Sequence, residues 1–244
     1  MLVKPDERLT VARLLSFLEM GERLAHDCAL AQVGLAPEPG MRRFLRGQAR
    51  QESYHGAVFG GAAAWLAKGR LGVCPMLKSM DRYRTLLDAA IRRSDFAETL
   101  VAQQIVLEGL GEAILRRIEV GLVKRRAGFG PLRRILLHQE ESHHAFGHRT
   151  LTRLVMEGKA SRESLRSVAR QYVSLTDHML VSVGDLLESI DEDPAGYQAD
   201  AKRNLPDWIL SGDQPLGPGV RPQLCGPVTA HPESPAHGAR MLTQ

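Results

Sequence analysis

Two glutamate and histidine pairs stand three residues apart in otherwise helix-like stretches: Glu52 with His55 in "QESYH", and Glu141 with His144 in "EESHH". Three residues make nearly one helical turn, so each pair sets a carboxylate and an imidazole on one face, where both can grip a metal ion. Counting back 33 residues from each glutamate reaches Glu19 and Glu108, and a shift of 89 carries Glu19, Glu52 and His55 onto Glu108, Glu141 and His144. A single Glu-x-x-His pair is ordinary helix-surface chemistry; two pairs with equally spaced upstream glutamates are not. Four carboxylates at one level inside a bundle repel each other and are driven towards protonation unless a cation joins them. Two divalent or trivalent ions meet that demand, and mixed oxygen and nitrogen ligation suits iron or manganese.

Such a meeting needs four rods. Hydrophobic periodicity predicts helices over about 7–34, 39–68, 95–126 and 131–158, with a further helix over 161–190. The "GLAPEPG" and "AGFGP" segments turn the first two and last two bundle helices into hairpins that bring the paired glutamates to similar levels. Asp95 and Glu98 resemble a capping box, Pro131 suits a first helical turn, and Gly69 suits a helix end. Residues 70–94, with the amphipathic piece "DRYRTLLDAAIRR", are too long for a hairpin and read as a crossover. The fold class is all-α: one helical domain over 1–192, a short helical extension over 193–211, and a Pro/Gly-rich tail over 212–244 expected to be irregular or disordered.

Composition agrees with this class and narrows the functions. At 43% hydrophobic, 25% charged and 5% aromatic, the chain is ordinary for a soluble globular protein and leans towards helix. Its +4 charge is spread over scattered basic pairs, which mark wet helix faces and make nucleic acid an unlikely partner. Cys28, Cys74 and Cys225 form neither a disulfide framework nor a thiolate metal motif, and Cys28 reads as core packing. No signal-peptide pattern and no run of membrane-spanning length occurs, so a cytoplasmic location without membrane partners is expected.

Further polar residues share the metal stripes. Glu22, His26 and His148 are candidates for an added ligand, a proton relay or partners that orient the ligands, with Glu22 and His148 singled out as catalytic; Gln48 and Gln104 carry less weight. Tyr54, Glu140 and His143 neighbour the candidate ligands in sequence, so about 100° of helical rotation turns them away and exposure is expected. His178 matters only if the added helix covers the site.

Residues 7–158 resemble the ferritin-like superfamily of dinuclear carboxylate proteins, which places two glutamates and two Glu-x-x-His pairs in a four-helix bundle with a long crossover. By that resemblance Glu19, Glu52, His55, Glu108, Glu141 and His144 are the metal ligands, and the cofactor is two iron ions, with manganese allowed at either position. The spacing is most similar to bacterioferritin-like and rubrerythrin-like members. Ser53 stands where the former has its haem-ligating methionine, and Gly111 where the latter has an additional glutamate. The resemblance implies a non-haem di-iron oxidase or oxygenase that uses dioxygen or peroxide and an external electron donor to oxidise a small organic substrate. An iron-handling or peroxide-scavenging protein is the alternative, and a basic RNA-binding protein with a structural metal site stands third. The oligomeric state is left open, with a homodimer allowed.

Overall fold

Residues 3–71, 77–124 and 130–210 are described by a computed structural model, and among them helices account for all regular structure. Helix α1 (Arg8–Leu35) and α2 (Pro39–Ala67) form the first hairpin. Pro39 opens α2, where its missing N–H costs nothing, and the chain leaves α2 through left-handed Lys68 (φ 49°) and Gly69 (φ 77°). The two helices pack closely because small residues face each other, with Ala25 and Ala29 on α1 and Ala49, Gly56 and Ala63 on α2 all buried. Gly56 lies where an added Cβ would sit 3.6 Å from the Cβ of Glu22.

After α3 (Leu77–Arg92) in the crossover, the third rod is built in three pieces: α4 (Phe96–Leu100), a π-helical segment (Val101–Leu107) and α5 (Glu108–Lys124). Asp95 caps α4 by accepting the Glu98 N–H at 2.9 Å. The Glu98 carboxylate meets Arg93 at 2.6 Å and Tyr172 at 3.2 Å, so only half of the expected capping box forms. The π-helical segment, which periodicity alone did not reveal, widens the helix in the middle of the bundle. Tyr83 of α3 donates to the Ala102 carbonyl within it at 2.5 Å.

The fourth rod is α6 (Gly130–Met156), packed along both the π-helical segment and α5. A C-terminal layer follows: α7 (Arg162–Ser182), α8 (Gly184–Glu188), α9 (Pro194–Arg203) and α10 (Asp207–Leu210). The single helix expected over 161–190 therefore breaks at Val183, whose φ of −106° and ψ of 5° leave the helical range. Helix α7 lies on α3 and the π-helical segment, and α9 on α5. The tail expected over 212–244 lies outside the described residues.

The architecture is an all-α, ferritin-like four-helix bundle with a long crossover and an added C-terminal helical segment. Its core runs through all four rods and into the C-terminal layer, with Leu24, Leu45, Leu100, Ile105 and Met179 nearly sealed from solvent. No helix among the described residues is long and apolar enough to cross a membrane.

Candidate metal centre

Polar side chains interrupt that core at one level. From α1 comes Glu22, from α2 Glu52 and His55, from the start of α5 Glu108, and from α6 Glu140 and His143. They form two overlapping groups, Glu22, Glu52, His55 and Glu140, and Glu52, Glu108, Glu140 and His143; within each group one donor atom per residue lies within 4.8 Å of the others. Glu52 and Glu140 belong to both. Glu52 turns one oxygen towards His55 Nδ1 at 3.3 Å and the other towards His143 Nδ1 at 3.0 Å. His55 Nδ1 also lies 3.0 Å from Glu140 and 3.5 Å from Glu22, and His143 Nδ1 lies 3.7 Å from Glu108 Oε2.

Each imidazole is held from behind. His55 Nε2 donates to Gln139 Oε1 at 2.8 Å, and His143 Nε2 donates to Gln51 Oε1 at 2.7 Å. Each glutamine immediately precedes a cluster glutamate on the opposite helix, so α2 orients the α6 histidine and α6 orients the α2 histidine. With Nε2 carrying the proton, the neutral ring turns the Nδ1 lone pair towards the carboxylates. Both Nδ1 atoms, both Glu52 oxygens and Glu140 Oε1 are buried without a hydrogen-bond partner among the described residues. Lone pairs facing lone pairs at about 3 Å call for positive charge between them.

The electrostatics carry the same demand. Burial alone would lower both histidines, yet Glu140, Glu22 and Glu52 hold His55 well above the usual range, and Glu108 with Glu52 hold His143 at about 10. Burial would raise Glu52, but the two imidazoles hold it well below ordinary carboxyls. Burial pushes Glu22 up to about 8, with Glu52 adding to the shift, and it raises Glu140 strongly, helped by Glu108 and Glu22. Protons supply positive charge here when no other cation does. A pair of metal ions fits the donor set: two shared carboxylates, plus one further carboxylate and one imidazole at each position.

The register differs from that read in the sequence. Glu52, His55 and Glu108 are brought together as expected, but Glu19, Glu141 and His144 are not. Glu19 lies one turn before Glu22, packs beside Gly60 and pairs with Arg23. Glu141 is more than a third exposed and pairs with Arg116 at 2.7 Å. His144 turns away to Glu112, 3.0 Å from its Nδ1, with His148 Nε2 3.1 Å from its Nε2. One residue on α6 is about 100° of rotation, so of two overlapping Glu-x-x-His frames in "QEESHH" only one faces inward.

Glu140 and His143, expected to be exposed, are the buried frame. The signal was present: Gln51-Glu52-x-x-His55 and Gln139-Glu140-x-x-His143 share a leading glutamine that the other frame lacks. Of the catalytic candidates, Glu22 joins the cluster and His148 does not; burial, then the neighbouring His144, hold His148 down at about 4. His26 bonds the Ala49 carbonyl at 2.8 Å and ties α1 to α2. His178 and Tyr54 are exposed.

Along the bundle axis from the cluster, the core opens into a cavity of about 490 Å³ whose walls are almost wholly apolar. Leu18, Phe59, Ile114 and Leu136 stand at its near end, and Val11, Leu66, Leu122 and Leu132 lie farther out. Measured along the helices at 1.5 Å per residue, it extends about 12–20 Å from the cluster. Leu180, Leu187 and Tyr197 of the C-terminal layer close its flank. A small recess beside Glu22, Glu108 and Glu140 shares Phe17, Leu18 and Ile114 with this cavity.

No protein-family profile matches the sequence, and a search of curated proteins gives no match. Among solved structures, the chain is similar to a Synechococcus protein described as having aldehyde deformylating oxidase activity. The TM-score is 0.71 at 21% identity, covering 84% of this chain and 89% of the other, which shows a shared fold.

Proposed function

We propose that Glu22, Glu52, His55, Glu108, Glu140 and His143 hold two metal ions, iron before manganese, and that the protein is an oxidoreductase acting with dioxygen on an apolar organic molecule. The observation that carries this reading is the axial apolar cavity, whose wall residues Phe17, Leu18 and Ile114 also line the recess that Glu22, Glu108 and Glu140 border. An iron-storing protein has no need of it. Two iron ions in this position would supply the reduction of dioxygen, with electrons from an external donor.

The chain's own residues do the rest. Glu52 and Glu140 offer oxygens to both positions, while Gln51 and Gln139 fix the imidazoles so that Nδ1 faces inward. Leu18, Phe59 and Ile114 keep water from the reacting end of a substrate and align its chain with the bundle axis. The neighbour's stated activity makes aldehydes the first substrates to try.

The test is anaerobic loading with ferrous iron, then admission of dioxygen with a reductant and aldehydes or hydrocarbons of graded chain length. Product that scales with bound iron and varies with chain length supports the proposal. Iron oxidation that never consumes an organic molecule, together with assembly into a large hollow particle, would favour iron handling instead.

A further inference from the structure

The two halves of the cluster look alike until the carboxylates that belong to only one half are compared. Glu108 Oε1 accepts two hydrogen bonds, from Gln48 Nε2 and Gln103 Nε2, each at 2.7 Å. Gln48 Oε1 in turn accepts from Gln104 at 3.1 Å, and Gln104 exchanges a reciprocal pair of bonds with Gln32 at 2.8 and 2.9 Å. All four glutamines are buried. Among the described residues Glu22 has no such amide donors: its nearest imidazole nitrogen is His55 Nδ1 at 3.5 Å, and its side chain keeps 12% exposure.

The π-helical segment makes the clamp. Its repeat joins residues five apart, so the Glu108 N–H donates to the Gln103 carbonyl while the Gln103 side chain reaches the Glu108 carboxylate. In an α-helix residues five apart point about 140° away from each other, and that contact is lost. Gln103 Oε1 is meanwhile buried without a hydrogen-bond partner among the described residues.

Two N–H donors occupy both lone-pair directions of Glu108 Oε1, leaving Oε2, the oxygen nearer His143, for a cation. Glu108 is thus ordered in advance, whereas Glu22 must be ordered when a cation arrives. We infer that the amide chain from Gln32 through Gln104 and Gln48, with Gln103, makes the two metal positions unequal. The position bounded by Glu108 and His143 binds first and tightly; the one bounded by Glu22 and His55 binds second and exchanges. The glutamines are positioning residues. This inference rests on reading the cluster as a two-metal centre.

Titration of the metal-free full chain with cobalt(II), followed by visible absorption, tests it without any turnover. The expected result is two ions per chain in two resolved steps, with Glu22→Gln removing the weaker step and keeping the tighter one. Gln48→Met and Gln103→Met, with folding checked by circular dichroism, should each weaken the tighter step on the order of 10–100-fold, the usual scale for groups that orient a ligand. Two ions bound with equal affinity in the unmodified chain would overturn the inequality and leave the metal centre standing. Loss of the tighter step, not the weaker, in Glu22→Gln would overturn the assignment of positions. Binding of no cobalt would overturn the metal centre itself.

Discussion

Glu52 and Glu140 each serve both halves of the cluster, so the consequence of losing either differs in kind from losing a residue one helical step away. Glu52→Ala or Glu140→Ala is expected to abolish retention of both ions, read as metal per chain after dialysis. Glu19→Ala and Glu141→Ala, whose carboxylates pair with Arg23 and Arg116, should keep both. Loss of metal in Glu19→Ala and Glu141→Ala, with Glu140→Ala keeping both ions, would restore the register first read from the sequence. A pH dependence follows from the same residues. At about pH 7, His143 (about 10) and Glu22 (about 8) hold protons that a metal must displace. Metal affinity should therefore rise as pH climbs towards 8, with protons released on binding. Titration calorimetry in buffers of differing ionisation heat measures both, and affinity that falls as pH rises over this range contradicts the protonation scheme.

The junction of α6 with the π-helical segment is where an element, not a residue, sets the geometry. A Cβ at Gly147 would lie 2.4 Å from Gln104 Cβ and 3.3 Å from the Gln104 carbonyl carbon. Neither is the free end of a flexible chain, so the clash has no inexpensive relief. Gly147→Ala should cost about 1–3 kcal/mol, as overpacked cores do, or about 2–4 °C of melting temperature per kcal/mol for a chain of this size. Gly61, exposed on α2 with open space around it, should respond in the opposite sense, gaining about 0.5–1 kcal/mol as alanine. Thermal unfolding of the two variants side by side separates close packing from helix propensity. The π-helical segment itself was illegible in the sequence, because Val101–Leu107 is buried throughout and its two polar residues, the adjacent Gln103 and Gln104, mark no period.

At the scale of the whole molecule, the C-terminal layer contributes to the wall of the axial cavity. Helix α9 is held on α5 by the Arg117–Asp200 ion pair, by Arg117 lying 5.0 Å over the Tyr197 ring, and by Asn204 donating to the Gly109 carbonyl at 2.9 Å. Gly196 leaves room for the Arg117 guanidinium, which any Cβ there would strike. Tyr197 can therefore form part of the cavity wall. If the cavity measures substrate length, a large side chain far from the cluster should shorten what it accepts. Ala62→Trp, roughly 15 Å along α2 from Glu52 at 1.5 Å per residue, should cut turnover of the longest substrates at least about tenfold, the effect of about 1.4 kcal/mol. Short ones and metal content should be spared. Equal losses at every chain length would show damage to the bundle, not a shortened cavity.

Periodicity, turn residues and composition determined that this chain makes long amphipathic helices, that four of them pair into a bundle, and that Glu52, His55 and Glu108 face its interior. Those are local or nearly local properties, readable from repeats of three and four residues. Tertiary packing decided the rest: Glu22 over Glu19, Glu140 with His143 over Glu141 with His144, and the turning of Gln48 and Gln103 onto Glu108. A frame shift of one residue leaves the composition of a helix face almost unchanged yet rotates it by about 100°. Only the neighbouring helices, and the widened segment before Glu108, fix which face is buried.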